Sequence, residues 1–382
     1  MKPNSATRLK KHRLAQILVK YRAGMQKNII KTILLFLFVF ISGPSLFAQT
    51  DSDNAANNAK QALVYEGNGK TMEAIPFLKK AIQLDSGNIN YPYELAVAYY
   101  NVKEYAEAKK ILEGLLDHRN IFALVYHLLG NVYDDMGKPD LAIKTYENGL
   151  KKYPGSAELY YEMGNMLLKN KDYKGGLQFY EKGIKANPLY PSNYYRAAKL
   201  FCISNESVWG MIYGEIFMNL EKNTERTAEM SKLLYNTYIR QIKKANDGSF
   251  TVNFSNTLFS VKDTARPSFA KFLYEPTIRS SMRNEKNIDV DALCRMRKKF
   301  VETFINSNLY LQYPNALFTY QYKVLKAGHI DAYNHWVLAE GDTKAYKEWL
   351  KHHQKNWDNF GYWIRKNRIP LDDNYKFFRE QY

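Results

Sequence analysis

Residues 126–155 read YHLLGNVYDDMGKPDLAIKTYENGLKKYPG, and residues 160–189 read YYEMGNMLLKNKDYKGGLQFYEKGIKANPL. At a spacing of 34 residues, Tyr126, Gly130, Tyr146, Gly149 and Pro154 return as Tyr160, Gly164, Tyr180, Gly183 and Pro188. Upstream, Leu95 prefigures Leu129, Tyr99 prefigures Tyr133, and Ala74, Ala108 and Ala142 share one register. A fixed period of this length means stacked helical hairpins, and it sets the architecture before any other consideration.

Physical chemistry supports the same reading residue by residue. Gly130 and Gly164 sit in the first helix of each pair, and Ala142 and Gly176 in the second. Small side chains there let two helix backbones approach closely. Tyr133, Tyr146 and Tyr180 fall on the buried faces and fill the volume between hairpins. Pro154 and Pro188 follow the second helix, where a missing amide hydrogen stops continuation. Gly137-Lys138 and Lys171-Asp172 fall at the short turns. Repeat one runs through Ala62, Tyr65, Ala74, Leu78 and Ala81. Repeat two carries Leu95-Ala96, Tyr99, Ala108, Leu112 and Leu115. A fifth repeat keeps Tyr194, Ala197-Ala198 and Phe201, and Gly210, Gly214 and Phe217 continue it loosely.

This pattern of aromatic, Leu-Gly, Tyr, Ala, aromatic and Pro resembles the tetratricopeptide repeat (TPR) family over about residues 55–222. The resemblance implies a mostly α fold, a right-handed α-solenoid of helix-turn-helix repeats. The expected domains are a leader at 1–48, the solenoid at 49–222 and a helical C-terminal domain at 223–382. In the last, residues 224–244 suit a capping helix, with Met230, Leu233, Leu234, Tyr238 and Ile242 on one stripe. Alternation at Phe250, Val252 and Phe254 predicts a short β-hairpin, with Leu258 to Val261 pairing back. Pro267 and Pro276 bound a linker. Helices resume near Asp289, and residues 314–338 form a helical hairpin in which Ala332 and Trp336 resemble a degenerate repeat. Asp342 reads as an N-cap. The segment from Trp357, rich in aromatic and basic residues, is expected to pack back on the domain.

The formal charge of +17 is concentrated at the start, because residues 1–48 hold nine Lys and Arg and no acid, leaving +8 for the rest. So mild a balance argues against nucleic acid as a partner. Lys27 and Lys31, the apolar run Ile33–Ile41 and small Ala48 before Gln49 read as a signal peptide with its start near Met25. Nine apolar residues fall short of a bilayer span, so no stable membrane span is expected after cleavage. The expected location is the periplasm or the outer envelope. Cys202 and Cys294 are the two cysteines, read either as a disulfide or as two separate buried thiols.

No catalytic constellation stands out. Gly69-Lys70-Thr71 imitates the end of a phosphate-binding loop, but Val64 occupies the place of the upstream glycine. His352 and His353 are adjacent, point about 100° apart on a helix and are read as surface residues. No metal site and no cofactor is expected.

In the resembled family the first helix of each hairpin lines the concave face. Here that implies His127, Asn131, Asp134, Asp135, Tyr161, Glu162, Asn165 and Lys169, with Tyr93, Tyr100, Tyr195, Arg196 and Lys199 from neighbouring repeats. Asn131 and Asn165 stand one period apart. Their amides either hold an extended peptide backbone or satisfy a neighbouring helix. Glu162, Asp134 and Asp135 put negative charge where the family's carboxylate clamp needs positive, so a partner of mixed charge is expected. The functional expectation is a non-catalytic scaffold or adaptor that binds a protein or peptide in this groove. The alternative is a glycan-binding module on Trp336, Trp349, Trp357 and Trp363, whose faces suit stacking on sugars.

Overall fold

The computed structural model describes residues 51–256, 268–372 and 377–382. The leader, the cleavage point, and the expected return strand at 258–261 lie outside them, as do Pro267 and Asp373. The chain divides into two compact units, one ending at Thr145 and one running Tyr146–Tyr382.

The first unit contains α1 (Asp51–Gly67), α2 (Thr71–Leu84), α3 (Asn90–Asn101), α4 (Tyr105–Leu115), α5 (Ala123–Asp135) and the start of α6 (Pro139–Lys152). Its first core joins Ala62, Ala74, Ile75, Leu78, Leu95 and Ala98, with Tyr65 stacked on Phe77 at 5.2 Å. The 34-residue period is written in the backbone as well. Gly69, Lys103, Gly137 and Lys171 all have positive φ, between 62° and 74°. In each turn the following amide bonds five residues back: Lys70 to Tyr65, Glu104 to Tyr99, Lys138 to Tyr133 and Asp172 to Leu167, all at 2.9 Å. This closes the first helix with its carbonyls satisfied and sends the chain into the second. Tyr133 is half-buried rather than enclosed. Its hydroxyl donates to Glu113 at 2.6 Å, and burial followed by that carboxylate pushes its pKa up to about 12.

The second unit continues with α7 (Ala157–Lys169), α8 (Tyr173–Ala186), α9 (Pro191–Cys202) and α10 (Ser207–Leu220). A Cβ on Gly164 would lie 2.4 Å from Tyr180, so glycine is required where α7 meets α8. The fifth hairpin, α9 and α10, packs more closely than its loose sequence suggests. A Cβ on Gly210 would lie 2.6 Å from the Cys202 nitrogen, so Gly210 holds the small-residue place of the period.

Helix α10 is buried on every side, which a terminal solenoid helix exposed to solvent could not be. The rest of the unit packs around it: α11 (Glu225–Gln241), β1 (Ile242–Lys244), β2 (Phe250–Val252), a π-turn at Ala270–Tyr274, α12 (Glu275–Met282), α13 (Val290–Asn306), α14 (Leu309–Gln312), α15 (Ala316–Lys326), α16 (Ile330–Leu338) and α17 (Thr343–Lys366). One apolar core runs from Tyr180 to Phe377, through the composition change at residue 222.

Several local expectations change. The capping helix begins at the Thr224 N-cap but stops at Gln241, because Ile242–Lys244 leaves to pair antiparallel with Phe250–Val252, Ile242 opposite Val252. The hairpin therefore forms with the preceding strand. Pro276 does not bound a linker; it opens α12 directly after the π-turn, with helical backbone on both sides of it. The α15–α16 hairpin repeats the turn chemistry, with Gly328 at φ +77° and His329 bonded to Val324 at 3.0 Å. Five residues past that turn stands fully buried Tyr333 rather than Ala or Gly, so its helices pack differently from the repeats. Asp342 caps α17, accepting from Ala345 at 2.9 Å.

Candidate functional site

In the second unit the expected face is built by α7, α9 and α11. Tyr161, Glu162 and Asn165 on α7 recur 34 residues later as Tyr195, Arg196 and Lys199 on α9. The period carries one step further, from Tyr195 to Glu229 on α11. The Tyr195 hydroxyl donates to Glu229, and Lys199 pairs with the same carboxylate at 2.5 Å. Burial would raise the Glu229 carboxyl, but the hydrogen bonds from Lys199 and Tyr195 hold it below its ordinary range. Arg226 stacks over Tyr195 at 5.1 Å, donates to Ser192 at 3.1 Å and is clamped by Glu221. Glu229 and Arg226 were missed in sequence, because α11 carries Ala228 and Lys232 where the repeats place an aromatic and a small residue, and only Tyr235 keeps the register. One more 34-residue step from Tyr195 would have found Glu229.

Asn165 is committed within the unit. Its Oδ1 accepts from Tyr180 at 2.9 Å and its Nδ2 donates to Glu162 at 3.0 Å. Of the two readings offered for this asparagine, the bonds seen are those of the structural one. What α7 and α9 leave accessible is an aromatic and cationic surface. Tyr161 and Arg196 are half-buried, with the guanidinium 5.9 Å above the ring and Tyr190 edge-on at 6.1 Å. Burial opposes the charge on Arg196, and the Tyr161 hydroxyl outweighs it. Lys169 is exposed at the end of α7.

In the first unit, Tyr93 and His127 are half-buried, and Tyr93 meets Phe122 edge-on at 5.0 Å. Asn131 and Asp134 are half-buried on α5. Tyr100 donates to exposed Asp135 at 2.7 Å, tying α3 to α5. This surface of the first unit is acidic and aromatic.

The C-terminal tryptophans are not a sugar platform. Trp349 is buried, and Trp336, Trp357 and Trp363 pack on the core. Phe360 approaches Trp357 at 5.7 Å and Trp336 at 6.2 Å, while Tyr320 and His329 cover Trp363 at 6.1 and 5.5 Å. These rings are engaged with the aromatic core rather than set out as an open platform. His353 departs from the surface reading given to the histidine pair. It is half-buried and stacks on Trp349 at 4.8 Å, and His335 stacks on Trp349 at 4.2 Å. Trp349 donates to Asp331 at 3.1 Å. Cys202 and Cys294 are separate buried thiols, and burial pushes the Cys202 thiol up to about 12.

Charged groups do converge inside the unit, but they satisfy each other. Arg297 donates to both oxygens of Glu215, at 2.7 and 2.9 Å, to Asn334 at 2.9 Å and to Tyr238 at 3.0 Å. Tyr333 and Gln321 donate to Glu215 at 2.8 and 2.5 Å. The adjoining cavity holds about 20 Å³, room for one water and not for a substrate. Among the described residues no group of acids, histidines and cysteines could hold a metal ion. No described helix is long and apolar enough to cross a membrane.

Two stretches, residues 65–131 and 127–191, match the tetratricopeptide repeat family. Residues 65–191 are tetratricopeptide repeats. It is 26% identical over 197 residues to a TPR repeat-containing protein of Methanocaldococcus jannaschii, covering 44% of this chain and 34% of that one. It is 27% identical over 148 residues to the Hsp70-Hsp90 organising protein of Plasmodium falciparum, covering 30% and 26%. The chain thus spans about a third or less of these relatives. Among solved structures, PilF of Pseudomonas aeruginosa aligns with a TM-score of 0.42 at 19% identity, over 50% of this chain and 85% of that one. The TPR repeats of residues 65–191 indicate a protein–protein interaction scaffold.

Proposed function

We propose that the scaffold is non-catalytic, works in the cell envelope and holds an extended peptide or a helix of a partner protein along the first-helix faces of its repeats. The observation that carries the reading is the Tyr161–Tyr190–Arg196 surface. Aromatic rings and a guanidinium stand there half-buried on consecutive repeats, while Lys199 and Arg226 are held by Glu229 and Glu221. Such a surface suits a segment carrying both apolar and acidic side chains. The envelope assignment rests on the basic, apolar and small-residue order of residues 27–48.

The test is a crosslinked pull-down from the native envelope fraction, with the full chain as bait beside its Tyr161→Ala/Arg196→Glu variant. A protein captured by the first and lost by the second, with both baits equally folded by circular dichroism, supports the face as the binding site. Equal capture by both baits refutes it.

A further inference from the structure

Residues 377–382 occupy a site on the second unit whose chemistry is specific. Glu181 on α8 is buried to 3% exposure. Its oxygens accept from Arg379 Nε at 2.9 Å and from an Arg379 terminal nitrogen at 2.8 Å. The Tyr213 hydroxyl donates to the same carboxylate at 3.3 Å and accepts the Arg379 amide at 2.8 Å. Three residues on, the Tyr382 ring enters an aromatic box, 5.1 Å from Phe269, 5.4 Å from Trp209 and 5.9 Å from Tyr313. Its hydroxyl donates to the Pro314 carbonyl. Between the two anchors, Glu380 and Gln381 are exposed, with Glu380 paired to Lys185, and ahead of them Phe377 is buried in the core.

We propose that Glu181, Tyr213 and the Trp209–Phe269–Tyr313 box form a peptide-binding site for an arginine followed three residues later by an aromatic side chain, with residues 377–382 as its exchangeable occupant. The selectivity follows from the carboxylate. A carboxylate so buried needs a cation, and both its oxygens are met by one planar fork, which a lysine ammonium does not supply. The box supplies flat apolar area at a fixed distance from that ion pair. The occupant is preformed. The Gln381 and Tyr382 amides bond to the Phe378 and Arg379 carbonyls at 3.2 and 3.1 Å, so the turn that spaces the two anchors is internal to the segment. A partner segment with the same two anchors would compete for the site. This reading is independent of the α7–α9 face.

The experiment is fluorescence anisotropy with a labelled, amidated peptide of residues 377–382. It is titrated into the wild-type chain, the Arg379→Ala/Tyr382→Ala variant, and that variant with Glu181→Gln added. Saturable binding to the double variant at least tenfold tighter than to wild type is expected. Loss of at least tenfold is expected on Glu181→Gln, or when the peptide carries alanine at the Arg379 position. Absence of binding to a folded double variant, or binding indifferent to the peptide's arginine, overturns the proposal. Should the double variant not keep the wild-type circular dichroism, hydrogen exchange on the unmodified chain decides. The Arg379 amide should exchange at least tenfold faster than the Leu234 amide of α11. Equal rates, meaning exchange only on global unfolding, overturn exchangeability.

Discussion

The ion pair of Arg297 and Glu215 joins α13 to α10 at the centre of the second unit, and its removal should be costly in a characteristic way. Both side chains are nearly sealed, at 5% and 3% exposure. In Arg297→Gln, Glu215 keeps its donors Tyr333 and Gln321 but loses the one cation paired with it among the described residues. An uncompensated buried charge costs about 3–5 kcal/mol. With a urea slope of about 2 kcal/mol/M, the midpoint should fall by roughly 1.5–2.5 M. All five tryptophans, Trp209, Trp336, Trp349, Trp357 and Trp363, lie after Thr145, so their fluorescence follows the second unit alone. Glu215→Gln/Arg297→Gln leaves no buried charge, and its amide oxygen still accepts from Gln321 and Tyr333. It should therefore be more stable than Arg297→Gln by about 1–2 kcal/mol, within the range of coupling for contacting groups. A loss under about 1 kcal/mol in Arg297→Gln, or a double variant no better than it, would refute the argument that charge isolation dominates.

Gly164→Ala should destabilise the second unit by about 1–3 kcal/mol, because its Cβ meets Tyr180 at 2.4 Å, whereas Gly155→Ala, with open space around it, should stay within about 0.5 kcal/mol in the same urea assay. Lys171→Gly should stabilise by up to about 1 kcal/mol, since a side chain at φ +62° is strained and Gly69 and Gly137 hold the equivalent turns; a lower midpoint would contradict this. Burial disfavours charge on His335, but its bonds to Asp331 and the neighbouring Cys294 thiol outweigh that and push its pKa up to about 11, with Asp291 and His353 the other titratable groups nearby. A raised folded pKa stabilises fully below the free imidazole range near 6.5 and fades as pH climbs toward 11, so the stability gap between wild type and His335→Gln should be widest at pH 6 and shrink steadily to pH 10. A gap that grows with pH would show that the imidazole is neutral when folded.

What could be read from sequence was whatever recurs. Tyr126 to Pro188 repeat because each hairpin solves the same packing problem, and a solution used twice at 34 residues becomes visible. Asp342 was legible as a cap for a related reason: its bond to the Ala345 amide involves only its own turn. The Phe250 strand was legible through its alternation, but its partner was not. Ile242–Lys244 sits at the end of a helical stripe, and the three residues change state only because the strand is there to receive them.

The expected division at residue 222 shows what a single sequence withholds. In composition, α10 looks like a fading repeat. In space it is fully enclosed, and Glu215, Asn219 and Tyr213 reach residues 82 to 166 positions away. Nothing periodic links Glu215 to Arg297, or Glu181 to Arg379, because each pair occurs once. The tryptophans fall under the same rule. Their stripe spacing argued for core before platform, and Phe360 and Tyr320 pack on them from another turn or another helix. The bonds of Asn165 are local, since Tyr180 stands 15 residues away across one hairpin turn and its hydroxyl reaches the amide. Tyr161 on that hairpin and Arg196 on the next are half-buried, one period and one residue apart, and these are the side chains on which the proposed binding face rests.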